Sequence, residues 1–202
     1  VCKEHVFEAI NNSDTLFLEG DVGAGKGMCC YGYKGGIGTA SRIVYSDGKE
    51  YIIGVLVLSN FGKQEDLIIN MKKNPFINSG KSVPEKGSAI FVVATDAPLS
   101  NRQLKRVIKR AEIGLHRTGS FMGNGSGEII VGFTVAKKIN HYEKRTIIPY
   151  EIWNENKMDC LFRAMAEASE EAILNSLITA DTVKGREGHV VKSLKIEINR
   201  YL

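Results

Sequence analysis

The chain has 202 residues, 43% of them hydrophobic and 25% charged, with a formal net charge of +4. That length and apolar share support a single domain, residues 1–202, with a substantial core. The 27 basic and 23 acidic residues are well mixed, which argues against nucleic acid as a partner, and no apolar run is long enough to span a membrane. No signal peptide is visible. The cysteines Cys2, Cys29, Cys30 and Cys160 form no CxxC pair. This usage predicts a reduced, cytoplasmic setting without a metal site.

In chain order, residues 2–12 place Val6, Ala9 and Ile10 at helical spacing and end at Asn11-Asn12. Residues 15–18 predict a short strand. Next, Gly20, four residues and Gly25-Lys26 approach a phosphate-binding loop. Gly27 stands where a Mg²⁺-holding hydroxyl belongs, and Met28-Cys29-Cys30-Tyr31-Gly32 cannot form the helix that should receive the phosphates. The stretch therefore reads as a loop where backbone comes close to a substrate or another strand. Residues 28–33 predict a strand with Cys29 and Cys30 on opposite sides, and 34–39 a second glycine-rich turn. Strands at 40–45 and 51–58 are joined by the hairpin signal Asp47-Gly48. The second is apolar enough to predict cover on both faces. It ends at Ser59-Asn60-Phe61-Gly62, where Asn60 is either a turn asparagine or an amide donor to an oxyanion.

Residues 63–87 are polar, hold Pro75, Pro84 and several lysines, and predict an exposed linker. It leads to Gly87-Ser88 and a buried strand over 88–96 whose first residue sits at the rim. That serine is either an ordinary loop end or an N-terminal nucleophile released by cleavage after Gly87. Ser100 with Gln103 forms a capping box for a helix with the stripe Leu104, Val107, Ile108, Ala111 and Leu115. The basic cluster Arg102, Lys105, Arg106, Lys109 and Arg110 on that helix reads as a solvated face. A third glycine-rich loop, from Gly119 to Gly127, runs into a strand over 129–136. Ser126 and Glu128 flank Gly127, so alternation turns both to one side. They are either loop polars or a proton network. His5, His116, His141 and His189 have no evident partner, so the sequence supports no serine–histidine triad. Residues 158–181 form the longest helix, whose Glu167, Glu170 and Glu171 read as solvated. A turn over 184–189 precedes a final strand or short helix.

Taken together, the motifs resemble the self-processing aminopeptidases of the DmpA type, which include the L-aminopeptidase/D-esterases and β-peptidyl aminopeptidases. The resemblance is carried by Glu19-Gly20-Asp21-Val22-Gly23-Ala24-Gly25-Lys26-Gly27-Met28, Lys34-Gly35-Gly36-Ile37-Gly38-Thr39-Ala40-Ser41-Arg42, Ser59-Asn60-Phe61-Gly62, Gly87-Ser88 to Leu99, Gly123-Asn124-Gly125-Ser126-Gly127-Glu128, and Ala168-Ser169-Glu170-Glu171-Ala172-Ile173-Leu174-Asn175 with Gly185-Arg186-Glu187-Gly188, in family order. It implies an α/β (α+β) four-layer αββα sandwich of the DmpA/ornithine acetyltransferase type. It implies self-cleavage at Gly87-Ser88, into 1–87 and 88–202, with Ser88 as nucleophile. It further implies that Ser126 and Glu128 sit beside Ser88 for proton transfer and that Asn60 contributes to the oxyanion hole. The implied activity is removal of N-terminal residues from short peptides, amides or esters, with no cofactor and a homo-oligomeric, tetrameric assembly. Two departures stand out. Lys26 replaces a small hydroxyl residue, and the family's amine-gripping acid belongs to an N-terminal segment that would lie before Val1. The competing expectations are an acyltransferase of the ornithine acetyltransferase type, whose nucleophile is threonine, and a catalytically silent truncated homologue.

Overall fold

The computed structural model describes residues 1–75 and 87–199. The strands are Cys29–Cys30 (β1), Tyr33–Lys34 (β2), Ile37–Ser46 (β3), Lys49–Asn60 (β4), Ile68–Ile69 (β5), Lys72–Lys73 (β6), Gly87–Thr95 (β7), Ser126–Thr134 (β8), Val183–Lys184 (β9) and Val190–Val191 (β10). The helices are Lys3–Asn11 (α1), Asn101–Ile108 (α2), Ala111–Arg117 (α3), Asp159–Ile178 (α4) and Leu194–Asn199 (α5). The central sheet has the order β3-β4-β7-β8. Its first two pairings are antiparallel and the β7–β8 pairing is parallel.

Alternation along each strand sends one set of side chains to a helix layer. Ile53, Val57, Phe91 and Val93 on the sheet are fully buried, as are Leu161, Met165, Ala172 and Leu177 of α4. Small residues set the spacing between the layers. A Cβ at Gly38 would collide with the Ala172 carbonyl of α4, and one at Gly132 would lie 2.6 Å from Ile108 of α2. The capping box forms as expected: Ser100 Oγ accepts from Gln103 N, and Gln103 Oε1 accepts from Ser100 N. The helix that follows breaks into α2 and α3 at Lys109 and Arg110, where the Arg110 guanidinium turns back onto the Arg106 carbonyl and the Phe162 ring.

The opposite face of the sheet is different. Ile43, Ile52, Ile90, Val92, Ile129, Val131 and Phe133 are 38–59% exposed there. The expected double cover of residues 51–58 is therefore corrected: among the described residues β4 is covered on one face. These residues supply one sheet and one helix layer, two of the four expected layers.

Other expectations also shift. Residues 15–18 form no strand; Leu16 and Leu18 are exposed and the segment joins no ladder. Residues 28–33 form a tight hairpin instead of one strand, because Tyr31 and Gly32 both take positive φ. Within the predicted linker, residues 63–75 carry β5 and β6. Leu67 and Asn74 are buried there, and Ile68 N donates to the Thr118 carbonyl, so this part is packed. The remainder, residues 76–86, lies outside the described residues. The charged helix surfaces are paired: Arg102 and Arg106 with Glu155, Arg42 with Glu167 and Glu171, and Arg117 with Glu170.

Candidate active site

Three strand ends meet at one edge of the sheet. Asn60 closes β4, Ser88 is the second residue of β7, and Gly127 the second of β8. The register pairs Asn60 with Ser88 and Ser88 with Gly127, so the three lie in one row on one face. Each end has a local cause. Chain reversal after β4 is set by buried Phe61 and by Gly62 at φ 83°, where a Cβ would strike the Tyr31 ring. A Cβ at Gly87 would collide with the Asn60 carbonyl oxygen, so β7 can start this close to β4 only with glycine.

Ala89 points into the core and Ser88 is exposed on the open face. The Ser88 hydroxyl donates to the Gly87 carbonyl oxygen at 2.6 Å. It thus lies against the carbonyl of the Gly87–Ser88 peptide bond. Across the row, Asn60 Oδ1 accepts from Cys29 N–H at 3.1 Å. With its oxygen held, the Asn60 amide keeps Nδ2 as its donor. The hairpin carrying Cys29 is anchored on the same segment. Tyr31 N donates to the Phe61 carbonyl at 2.7 Å, and the two rings pack edge to face at 5.2 Å.

Ser126 and Glu128 are placed differently. They pair in register with Gly87 and Ala89, so their side chains turn to the helix side, away from the Ser88 hydroxyl. They bond each other, Ser126 Oγ donating to Glu128 Oε1 at 3.4 Å, and no hydrogen bond joins either to Ser88 among the described residues. The shared side expected from alternation is present; the direct contact with the hydroxyl is not. What they flank is Gly127, the register partner of Ser88. A Cβ at Gly127 would lie 4.0 Å from Ser88 Oγ.

The first glycine-rich loop is closed. Its turn Gly23–Gly27 folds over Lys34, whose ammonium donates to the carbonyls of Gly25, Met28 and Gly35 at 2.7, 2.7 and 2.6 Å. Lys34 is 1% exposed, and desolvation holds its ammonium below the ordinary lysine pKa. Carbonyls converging on a cation are the reverse of N–H groups cradling a phosphate. The expected close backbone approach is met: a Cβ at Gly25 would overlap the Gly20 carbonyl. Lys26 pairs with Asp21 at 3.0 Å. Sequence reasoning missed Lys34, since a lysine beside glycines looks solvated. Its one visible signal was its place at the head of the motif Lys34-Gly35-Gly36-Ile37-Gly38-Thr39. Among the described residues, no cluster of three or more His, Cys, Asp or Glu side chains is arranged to hold a metal ion.

This geometry has counterparts. The sequence model of peptidase family S58 matches residues 1–191. The beta-peptidyl aminopeptidase BapA of Sphingosinicella microcystinivorans is 40% identical over 95% of this chain and 53% of its own length. Among solved structures, the PH0078 protein of Pyrococcus horikoshii OT3 superposes with a TM-score of 0.86 at 49% identity, covering 98% of this chain and 55% of that one. An L-aminopeptidase D-Ala-esterase/amidase from Ochrobactrum anthropi, described as a variant of the Ntn hydrolase fold, also reaches 0.86 at 33% identity, over all of this chain and 56% of its own. The chain spans about half the length of the curated relatives it matches.

Proposed function

The chain belongs to peptidase family S58, and from that premise we propose that it carries the nucleophile of a self-processing serine aminopeptidase. The observation that carries the reading is the Ser88 hydroxyl, 2.6 Å from the Gly87 carbonyl oxygen at an exposed strand start beside Asn60. In the processing step Ser88 Oγ attacks the Gly87 carbonyl carbon. The Gly87–Ser88 C–N bond breaks, the nitrogen takes up a proton, and an ester forms. Water then hydrolyses the ester, leaving a carboxylate at Gly87 and a free α-amine on Ser88.

In turnover, the same hydroxyl attacks the substrate carbonyl, and water releases the acyl-enzyme. The freed α-amine, with a reference pKa of about 7.7–8, serves as general base. Asn60 Nδ2 donates to the oxyanion. Ser126 and Glu128 bond each other on either side of Gly127, the register partner of Ser88, and the role that the family resemblance implies for them is to hold and relay the proton of the amine that cleavage creates. Substrates are short peptides, amides or esters with a free N-terminal residue, as the names of the relatives suggest. The assembly is a homo-oligomer, a tetramer by resemblance, in the cytoplasm.

Intact-mass analysis of the full-length gene product tests the reading. A piece beginning at Ser88 is expected in the wild type and a single uncut chain in Ser88→Ala. Wild-type protein should release p-nitroaniline from alanyl and β-alanyl p-nitroanilides. Cleavage persisting in Ser88→Ala, or turnover surviving it, overturns the proposal.

A further inference from the structure

The amide of Asn60 is held by the peptide plane joining Met28 to Cys29. Its N–H, on Cys29, donates to Asn60 Oδ1 at 3.1 Å. Its oxygen, on Met28, accepts from the Lys34 ammonium at 2.7 Å and from Gly35 N–H at 3.2 Å. Lys34 is also the register partner of Cys29 across the β1–β2 hairpin, and its own N–H donates to the Lys192 carbonyl at 2.8 Å. The ammonium therefore sits at one end of a continuous chain of donors and acceptors, and the Asn60 amide at the other.

We propose that Lys34 is a positioning residue for Asn60, acting through the Met28–Cys29 peptide to fix and polarise the side-chain amide that faces the substrate. A cation on the peptide oxygen draws electron density from the peptide nitrogen and strengthens its N–H as a donor. That N–H in turn pulls on Oδ1 and strengthens the Nδ2 hydrogens as donors. Position follows from the same contacts. The three ammonium hydrogens meet three carbonyls, so the loop from Gly25 to Met28 cannot shift without leaving a donor unsatisfied in a buried site. Among the described residues no carboxylate pairs directly with the Lys34 ammonium, and burying a lysine in this way is costly. A surface residue would serve if the loop needed only to be covered. The charged and titratable groups that act on the ammonium are Cys29, Asp21 and Lys26.

The proposal rests on Asn60 being the oxyanion donor, so its test has one readout tied to activity and one that is not. In Lys34→Met protein, of similar side-chain length, kcat on an aminoacyl p-nitroanilide should fall about tenfold while KM stays within twofold. The ¹³Cγ resonance of Asn60, assigned by its loss in Asn60→Ala, should move while the carbonyl carbons of Asn154 and Asn175 stay in place. An unmoved Asn60 carbon in a folded Lys34→Met protein overturns the proposal, whatever the rate does. If Lys34→Met does not fold, Cys29→Ser protein, which keeps Lys34 and lacks the neighbouring thiol, is titrated upward in pH. The Asn60 ¹³Cγ should then titrate with the ¹³Cε of Lys34; a flat Asn60 signal through the lysine transition overturns the proposal. A wild-type protein without hydrolytic activity sinks the aminopeptidase reading, and the carbon signals still decide the role of Lys34.

Discussion

The two faces of the central sheet are built from the same residue types and meet different surroundings. On the helix side, Ile53, Val57, Phe91 and Val93 are fully buried. On the other side, Ile52, Ile90, Val92 and Phe133 are 38–48% exposed. The candidate machinery divides along the same line. Asn60, Ser88 and Gly127 form a row on the open face, and Ser126 and Glu128 lie across the sheet from the Ser88 hydroxyl. A hydroxyl that must reach a substrate belongs on the face that helices do not cover.

The largest expected effect breaks this comparison at its centre. Phe91→Ala empties a site packed under the helix layer and should cost about 3–5 kcal/mol in urea unfolding. Phe133→Ala, on the open face and 48% exposed, should cost under about 1 kcal/mol in the same chain. Equal losses would mean that the open face is covered in solution.

Next in size is the row of site residues. Asn60→Ala should lower kcat by about 10²–10³, with little change in the melting temperature, because the side chain faces outward and its one described bond is to Cys29 N. A mutant with near-normal turnover reduces Asn60 to a turn residue. A mutant that loses stability in proportion to activity shows instead that the Cys29 bond is structural.

Much of this was legible from local pattern. Apolar, β-branched runs marked the strands β3, β4, β7 and β8, though they wrongly predicted cover on both faces of β4, Asp47-Gly48 marked the hairpin, and Ser100 with Gln103 marked the start of α2. That Asn60 and Ser88 share a site was implied by the family resemblance, not by the local pattern of either strand end. The rest depended on long-range facts. Alternation says that Ser126 and Glu128 share a face, but the inter-strand register alone says which face, and a shift of one residue would reverse it. Lys34 was hidden because its three acceptors are backbone carbonyls, which any sequence supplies. Residues 15–18 had strand-like composition without a neighbouring strand to pair with.

A smaller effect probes how the helix layer grips the sheet beside the site. Ser59 of β4 precedes Asn60 and turns to the opposite face, where its hydroxyl meets that of Ser176 of α4 at 2.7 Å. Both serines are fully buried. Ser176→Ala leaves the Ser59 hydroxyl with its longer 3.3 Å contacts to the N–H and the carbonyl of Gly36. The cost should be about 1–3 kcal/mol, with kcat falling only if the end of β4 moves. Unchanged stability would mean that Ser59 finds another partner.

The smallest expected effect concerns the rim of the helix layer, over β8. Helix α2 covers this strand through Leu104 and Ile108, which press on the backbone at Gly132. Its first turn is held by the reciprocal bonds of Ser100 and Gln103, and Gln103 Nε2 also donates to the Trp153 carbonyl at 2.6 Å. Ser100→Ala removes the acceptor for Gln103 N and nothing else in that network, so the expected loss is about 1 kcal/mol. Local opening of the cap should speed amide exchange most at Arg102 and Gln103. Exchange at Val57 in the middle of β4 should rise only by the global loss of stability, since α4 covers that strand independently. If both regions quicken equally, the helix layer opens as one unit. If only the first turn quickens, the cover over β8 is separable from the cover over β4, and the edge that carries Ser126 and Glu128 can loosen while the row of Asn60 and Ser88 stays in place.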